Sequence, residues 1–127
     1  MSIKELEKMN NFCSLKGVSH EIIKEYAELL HLNFSNEYTN YLKQYALASV
    51  NGHEITGIVN SKRLNVADVT MKNRKFNPEI PMNLYVIEEL QIDDIVVWQD
   101  ENGIIYQTVG ISKPKKIFSS MVDYLKA

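Results

Sequence analysis

The sequence has few of the features on which secreted, membrane-bound or disulfide-stabilised proteins depend. It contains one cysteine, Cys13, among 127 residues, together with five glycines and three prolines. A single cysteine cannot form an internal disulfide, which excludes a disulfide-stapled scaffold. The longest apolar runs, such as residues 95–98, are far shorter than a membrane span, and the N-terminal segment lacks the apolar stretch of a signal peptide. We therefore expect a cytoplasmic protein that makes no contact with a membrane.

The chain also lacks an excess of charge of either sign. Lysine and arginine number 14, aspartate and glutamate number 16, and the formal net charge is -2. This balance does not favour nucleic acid as a direct partner. The hydrophobic fraction of 45% is typical of a packed globular chain, and the length suits one hydrophobic core. The prediction is a single domain over residues 1–127.

Motifs for catalysis and for metal or nucleotide binding are missing as well. The good soft or borderline metal ligands are His20, His31, His53 and Cys13, and no two of them have the spacing of a known metal motif. The glycines form no phosphate-binding loop, and no serine lies in a nucleophile elbow. We therefore predict a protein that is not an enzyme and has no cofactor or metal. Cys13 is interpreted as a small buried apolar residue.

Helical periodicity dominates the first 45 residues. Ser2 and Glu5 have capping-box spacing, which predicts a short first helix that ends by Gly17. Ser19 is the predicted N-cap of a second helix with an apolar stripe opposite its charged residues. Ser35 is the predicted N-cap of a third helix, in which tyrosines recur at intervals of three and four residues.

Strand patterns begin at Ala46. The dipeptide Asn51-Gly52 suits a tight turn between two β segments. Residues 60–77 can be drawn as a helix capped by Asn65 or as a strand and a loop, and we favour the helix. Pro78 and Pro81 then predict a loop, because each lacks a backbone N–H and restricts the residue before it.

The remaining segments predict three strands and a closing helix. The strands are rich in valine, isoleucine and aromatic residues, and a hairpin at residues 100–103 joins the last two. Trp98, on the second of these strands, is a predicted core residue. After Pro114, apolar residues recur at helical intervals to the end of the chain. Helices followed by strands and a final helix favour the α+β class.

Carboxylates are concentrated in residues 84–112, a stretch without lysine or arginine. One interpretation is that strand ends and turns are polar because they face water. The other is an acidic patch that steers a basic partner. On the second interpretation, the candidate partner-binding residues are Glu88, Glu89, Asp93, Asp94, Asp100 and Glu101.

Several segments resemble the SUKH superfamily, which includes relatives of yeast cell-wall synthesis regulators and bacterial immunity proteins. The segment EIIKEYAELLHLNFSNEYTNYLKQYA is similar to that family's opening helix pair. VNGHEITGI is similar to its first strand, VIEELQIDDIVVWQDENGIIYQ to its later strands, and KKIFSSMVDYL to its closing helix. The chain departs from the pattern where the helix connector lacks glycine and proline and where His53 replaces a second glycine.

The resemblance implies an antiparallel β-sheet packed by N-terminal helices and a C-terminal helix. It also implies a role in binding proteins. Bacterial members commonly act as immunity proteins that neutralise a cognate polymorphic or contact-dependent toxin, often a nuclease. The expected partner is such a toxin, and the expected state is a monomer or weak dimer. Two alternatives remain open: a regulatory or scaffold module of the Smi/Knr type, and an enzyme or ligand carrier with a pocket between sheet and helices.

Overall fold

The computed structural model describes residues 3–127, which form helices and antiparallel strands in an α+β arrangement. Helix accounts for 34% and strand for 27%, which confirms the predicted class. The helices are a 3-10 helix at Ile3–Lys8, α1 at His20–Leu30, α2 at Asn36–Gln44, α3 at Val66–Phe76 and α4 at Met121–Lys126. The strands are β1 at Cys13–Lys16, β2 at Tyr45–Val50, β3 at His53–Ile55, β4 at Tyr85–Glu89, β5 at Ile95–Gln99, β6 at Ile105–Val109 and β7 at Lys115–Phe118.

The strands form two sheets where the sequence suggested one. The first has the order β1-β2-β3 and the second the order β4-β5-β6-β7, and every pairing is antiparallel. The sheets meet where β3 approaches β4. Here the Thr56 backbone N–H donates to the Ile87 carbonyl at 2.9 Å, and the Thr56 hydroxyl donates to the Val86 carbonyl at 2.8 Å.

Three helices begin at the N-cap residues that the sequence predicted. The Ser19 hydroxyl accepts from the Ile22 N–H, and the Ser35 hydroxyl accepts from the Tyr38 N–H at 2.9 Å. The Asn65 carboxamide oxygen accepts from the first turn of α3, which decides residues 60–77 in favour of the helix.

The two tight turns also form as predicted. Asn51 and Gly52 have φ values of 50° and 83°, the left-handed conformation that a two-residue hairpin turn requires. Gly103 ends the turn between β5 and β6 with a φ of 90°.

The first and the last predicted helices are shorter than expected. The prediction was wrong in the segments that form β1 and β7 instead. After the 3-10 helix the chain forms β1, because Cys13 and Ser14 pair with Ser49 and Ala48 of β2. Similarly, β7 pairs with β6 before α4 begins at its N-cap, Ser120. The proposed capping residue Ser2 lies outside the described residues.

Cys13 is exposed, so the prediction that it is buried was wrong. It lies on β1, an edge strand whose four residues are all exposed. The apolar spacing around Cys13 does not reveal that β1 packs against no core.

Buried side chains cover both faces of the four-stranded sheet. The larger core lies against the three-stranded sheet, α2 and α4, and it contains five tyrosines: Tyr38, Tyr41, Tyr45, Tyr85 and Tyr124. The smaller core lies under α3 and consists of Val69, Ile80, Leu84, Val86, Val96 and Trp98. Trp98 is 1% exposed, which confirms it as a core residue, and its indole N–H donates to Thr108 at 3.0 Å.

The tyrosines of the larger core are hydrogen-bonded as well as buried. The Tyr38 hydroxyl donates to the Thr56 carbonyl at 3.0 Å, and the Tyr85 hydroxyl donates to the Gln99 side chain at 2.7 Å. The Tyr41 hydroxyl accepts from the Ala48 N–H at 2.9 Å. Burial raises the pKa of each of these three phenols above the ordinary value of 10.0. The folded protein therefore holds these protons more tightly than the unfolded chain does.

Trp98→Ala is expected to lower the free energy of unfolding by about 3–5 kcal/mol, because it leaves a cavity in the smaller core. Urea denaturation followed by circular dichroism measures this change. The matched control is Phe76→Ala, which removes an aromatic ring that is 56% exposed and is expected to change stability by about 0.5 kcal/mol or less. Equal effects of the two substitutions would contradict the packing described here.

The free energy of unfolding is expected to fall as pH rises above about 10, because the unfolded chain then loses phenolic protons that the folded protein retains. The tyrosine contribution is complete below that pH. Urea denaturation at a series of pH values between 8 and about 11.5 measures the slope. Tyr38→Phe should make the decline shallower by up to about 1.4 kcal/mol per pH unit, and an unchanged slope would contradict the assignment.

Candidate partner-binding site

The six predicted partner-binding carboxylates do not form one patch. They divide between the two ends of β5, a five-residue strand whose ends lie roughly 13 Å apart. Asp93 and Asp94 precede the strand, and antiparallel pairing brings the end of β4, with Glu88 and Glu89, to the same side. Asp100 and Glu101 follow the strand at its other end. Two of the six are buried, so they do not belong to an exposed surface.

Glu88 is one of the two buried carboxylates, with 4% of the residue exposed. It accepts hydrogen bonds from His53 Nδ1 at 2.8 Å, from the Glu54 N–H at 3.0 Å and from the Tyr124 hydroxyl. Burial, followed by this hydrogen bond to Glu88, raises the pKa of Tyr124. Glu88 thus connects β3, β4 and α4, which makes it a structural residue rather than a contact for a partner.

A β-bulge explains why Glu88 points inward. The pairing of β4 with β5 shifts between Val86 and Glu88, so Glu88 lies opposite Val97. Residues directly opposite one another in an antiparallel pair lie on the same face, and Val97 belongs to the larger core. Glu89 lies opposite Val96 and therefore faces α3.

Asp100 is the second buried carboxylate, with 6% exposed. Its Oδ1 accepts from the N–H groups of Asn102 and Ile104 at 2.9 and 3.0 Å, and its Oδ2 accepts from the Tyr106 hydroxyl at 3.1 Å. These bonds hold the turn between β5 and β6. The carboxylate of Asp100 is therefore used within the hairpin and faces neither water nor a partner.

Glu101, in the same turn, is exposed and borders a polar cleft of about 480 Å³ that also contains Glu37. Glu37 accepts from the Met121 N–H at 2.7 Å and the Val122 N–H at 3.1 Å, and so caps α4. It also accepts from the Gln99 amide at 2.7 Å. Glu37 therefore contributes mainly to the fold, and Glu101 is the exposed predicted carboxylate at this end.

The other end of β5 carries a cleft of about 400 Å³, which we call the loop cleft. Its walls come from α3, the loop between β4 and β5, and the loop after β6. The residues that line it are Lys72, Asn73, Phe76, Glu89, Gln91, Ile92, Asp93, Asp94, Ile95, Val96 and Gly110. Three of the six predicted carboxylates thus lie around one opening.

Large apolar side chains are exposed at the loop cleft. Phe76 is 56% exposed and Ile92 is 58% exposed, although both are residue types that usually pack inside. Val109 and Ile111, on either side of the cleft residue Gly110, are 48% and 73% exposed. Exposed apolar side chains grouped beside polar ones are typical of a protein-binding surface.

The loop between β4 and β5 has an unusual backbone. Gln91, Asp93 and Asp94 have φ values of 59°, 53° and 56°, a left-handed conformation that is uncommon outside glycine. Such conformations persist where surrounding contacts determine them, and they are frequent at functional sites. Here the Ile95 N–H donates to the Ile92 carbonyl and the Gly110 N–H to the Asp94 carbonyl, both at 3.1 Å.

Glu89 forms the polar wall of the cleft on the side of α3. Lys72 Nζ lies 3.0 Å from its carboxylate, and the Asn73 amide also donates to it at 3.0 Å. Asp93 and Asp94 are exposed, and within residues 3–127 neither forms an ion pair. The charge that the loop cleft offers to a partner therefore comes mainly from these two aspartates.

Two arginines between β3 and β4, Arg63 and Arg74, bind other residues of the fold. Arg63 donates two hydrogen bonds of 3.1 Å to Glu54, and these hold the pKa of Glu54 below its ordinary value. Arg74 donates to the Met82 carbonyl at 2.8 Å. Both arginines therefore form contacts within the fold.

Other kinds of site have little support in the part of the chain that the structure describes. No three histidine, cysteine or acidic side chains within it lie close enough together to hold a metal ion. His53 binds Glu88, and His20 and His31 lie at the two ends of α1. No helix within residues 3–127 is long and apolar enough to cross a membrane.

Two exposed apolar residues of the loop cleft, Phe76 and Ile92, were not predicted as site residues. Ile92 could have been recognised from the sequence as a candidate site residue, because a large β-branched residue between Gln91 and Asp93 does not suit a polar turn. Phe76 carries no such signal, because nothing in the local sequence shows that α3 ends beside the β4–β5 loop.

A SUKH family model described as SMI1-KNR4 cell-wall matches residues 1–127, the whole chain. No curated protein matches the chain significantly.

Glu88→Ala is expected to lower the free energy of unfolding by about 2–5 kcal/mol, because it leaves the Tyr124 hydroxyl and the Glu54 N–H without their acceptor. The matched control is Glu101→Ala, which removes an exposed carboxylate and should cost about 0.5 kcal/mol or less. Combining Glu88→Ala with Tyr124→Phe should cost less than the sum of the two single changes. Strict additivity in urea denaturation would contradict a shared network.

Proposed function

The chain belongs to the SMI1-KNR4 cell-wall family of SUKH domains, and from this we propose that it is a cytoplasmic immunity protein. In this proposal it binds a cognate polymorphic or contact-dependent toxin and neutralises it by direct protein–protein contact. SUKH domains include immunity proteins and Smi1/Knr4-type members, and they are generally not enzymes. The proposed action needs a binding surface and no reactive group.

The loop cleft is the observation that carries the proposal. It combines exposed apolar side chains, Phe76 and Ile92, with the exposed carboxylates of Asp93 and Asp94 on a hydrogen-bonded loop. Apolar side chains provide affinity when a partner buries them, and charges around them provide orientation and faster association. A surface of this composition suits binding to a protein better than binding to a small molecule.

The sign of the charge supports a nuclease as the class of toxin. A nuclease needs a basic surface to hold the phosphates of its substrate. Carboxylates at the loop cleft are complementary to such a surface and can compete with nucleic acid for it. The same carboxylates disfavour direct contact between this chain and nucleic acid.

A Smi/Knr-type regulatory or scaffold module is the second candidate function. The description of the matching family model, SMI1-KNR4 cell-wall, favours it. Such a module would bind several endogenous proteins, whereas an immunity protein would bind one toxin tightly. The number of partners recovered with the purified chain at ordinary salt therefore separates the two candidates.

Co-expression with the product of the gene immediately upstream tests the immunity proposal. We expect that product alone to arrest growth, and we expect this chain to restore growth and to form a stable complex with it on size-exclusion chromatography. The control is co-expression with the destabilised variant Trp98→Ala, which should protect less at elevated temperature. An upstream product that is not toxic, or a toxic one that this chain neither binds nor neutralises, would refute the proposal.

A further inference from the structure

We propose that the loop cleft takes a basic segment of a partner protein, which places one large apolar side chain against Phe76 and Ile92 and a lysine or arginine against Asp93 and Asp94. This inference rests on the proposed function in one respect: the partner that carries the segment is the toxin. The chemistry of the segment is derived from the cleft alone.

The size and lining of the cleft suit an inserted side chain. Its volume of about 400 Å³ lies within the range of ligand-binding pockets, roughly 300–1,000 Å³. Phe76, Ile92, Ile95 and Val96 supply its apolar wall. Because Phe76 and Ile92 are both more than half exposed, they have large apolar surfaces that a partner can still cover.

The charge around the opening selects a basic segment. Glu89, Asp93 and Asp94 line the cleft together with one cation, Lys72, among the residues described. Lys72 is bound to Glu89, so it does not neutralise the two aspartates. An acidic segment would be repelled by Asp93 and Asp94, whereas lysine or arginine beside the inserted side chain would be attracted.

The loop presents these groups in a fixed arrangement. Gln91, Asp93 and Asp94 occupy left-handed backbone conformations that would be sparsely populated in a free chain. Hydrogen bonds from Ile95 and Gly110 hold the loop on both sides of Asp93. A surface that is already ordered loses less conformational entropy when it binds, so the partner meets an organised site.

A second copy of this chain is the main competing occupant. Its own basic residues at the end of α3, Arg74 and Lys75, precede Phe76 directly in sequence and carry the charge that complements the cleft of another copy. Such a contact would make the oligomeric state depend on Ile92 and on salt. Sedimentation of the native chain and of Ile92→Ser over a range of concentrations tests it directly.

Titration of the full-length, isotopically labelled chain with a synthetic peptide tests the partner chemistry. The peptide has a central phenylalanine flanked by two lysines on each side and has blocked ends. We expect amide shifts confined to residues 91–96, Gly110 and the end of α3, with affinity that falls as salt rises. Peptides with a central alanine, or with glutamates in place of the lysines, should bind at least about tenfold more weakly. These peptide controls do not depend on the folding of any variant.

Variants of the loop cleft provide a second test of the inference. Ile92→Ser removes an apolar contact, and the pair Asp93→Asn with Asp94→Asn removes charge while keeping residues that tolerate the left-handed conformation. Each should weaken peptide binding at least about tenfold and reduce protection against the toxin. The matched controls are Leu29→Ser, an apolar residue 53% exposed on α1, and Glu101→Gln, an exposed carboxylate at the far end of β5. Both controls should bind and protect as the native chain does.

The outcomes separate this inference from the proposed function. Full protection against the toxin by Ile92→Ser and by the double asparagine variant would be consistent with the immunity function. It would overturn the inference that the toxin binds at the loop cleft. Specific peptide binding at the cleft without protection against any upstream product would support the inference and refute the function. Dimerisation that Ile92→Ser abolishes, or equal binding of the basic and acidic peptides, would overturn the inference.

Discussion

The structure depends on a buried carboxylate at the junction of its two sheets. Glu88 lies at the end of β4 and accepts hydrogen bonds from β3 and from α4, through His53, the Glu54 backbone and Tyr124. A buried carboxylate is costly unless its oxygens have partners, and the partners of Glu88 come from two other elements, β3 and α4. The three-stranded sheet, the four-stranded sheet and the C-terminal helix therefore have to assemble together.

This constraint also determines which carboxylates remain available for binding. The bulge in β4 turns Glu88 into the larger core and leaves Glu89 facing α3, where it contacts Lys72 and Asn73. Asp100 is used in the same manner by the hairpin that follows β5. Asp93 and Asp94 have no such internal role, and they lie beside exposed apolar residues. The acidic stretch thus serves two purposes, structural at Glu88 and Asp100 and proposed recognition at the loop cleft.

Much of the fold could be predicted from local sequence signals. Ser19, Ser35 and Asn65 cap helices because their side chains satisfy backbone N–H groups within three residues, an interaction that needs nothing from the rest of the chain. The turn at Asn51-Gly52 is likewise determined by the two residues that form it. β1 and β7 were mistaken for helix because their short segments carry apolar spacing compatible with either structure, and only pairing with β2 and β6 selects the strand. The exposure of Cys13 follows from the edge position of β1, which is also a property of the whole sheet.

The sequence by itself determined the class of fold, the helix caps, the tight turns, the core position of Trp98 and the resemblance to the SUKH family. These depend on composition, on periodicity and on contacts between residues close in the chain. The tertiary structure alone decided which carboxylates are buried and that Phe76 and Ile92 share one cleft. The reason is that a single bulge reverses the face on which Glu88 lies, and that the end of α3 and the β4–β5 loop meet only after both sheets have formed.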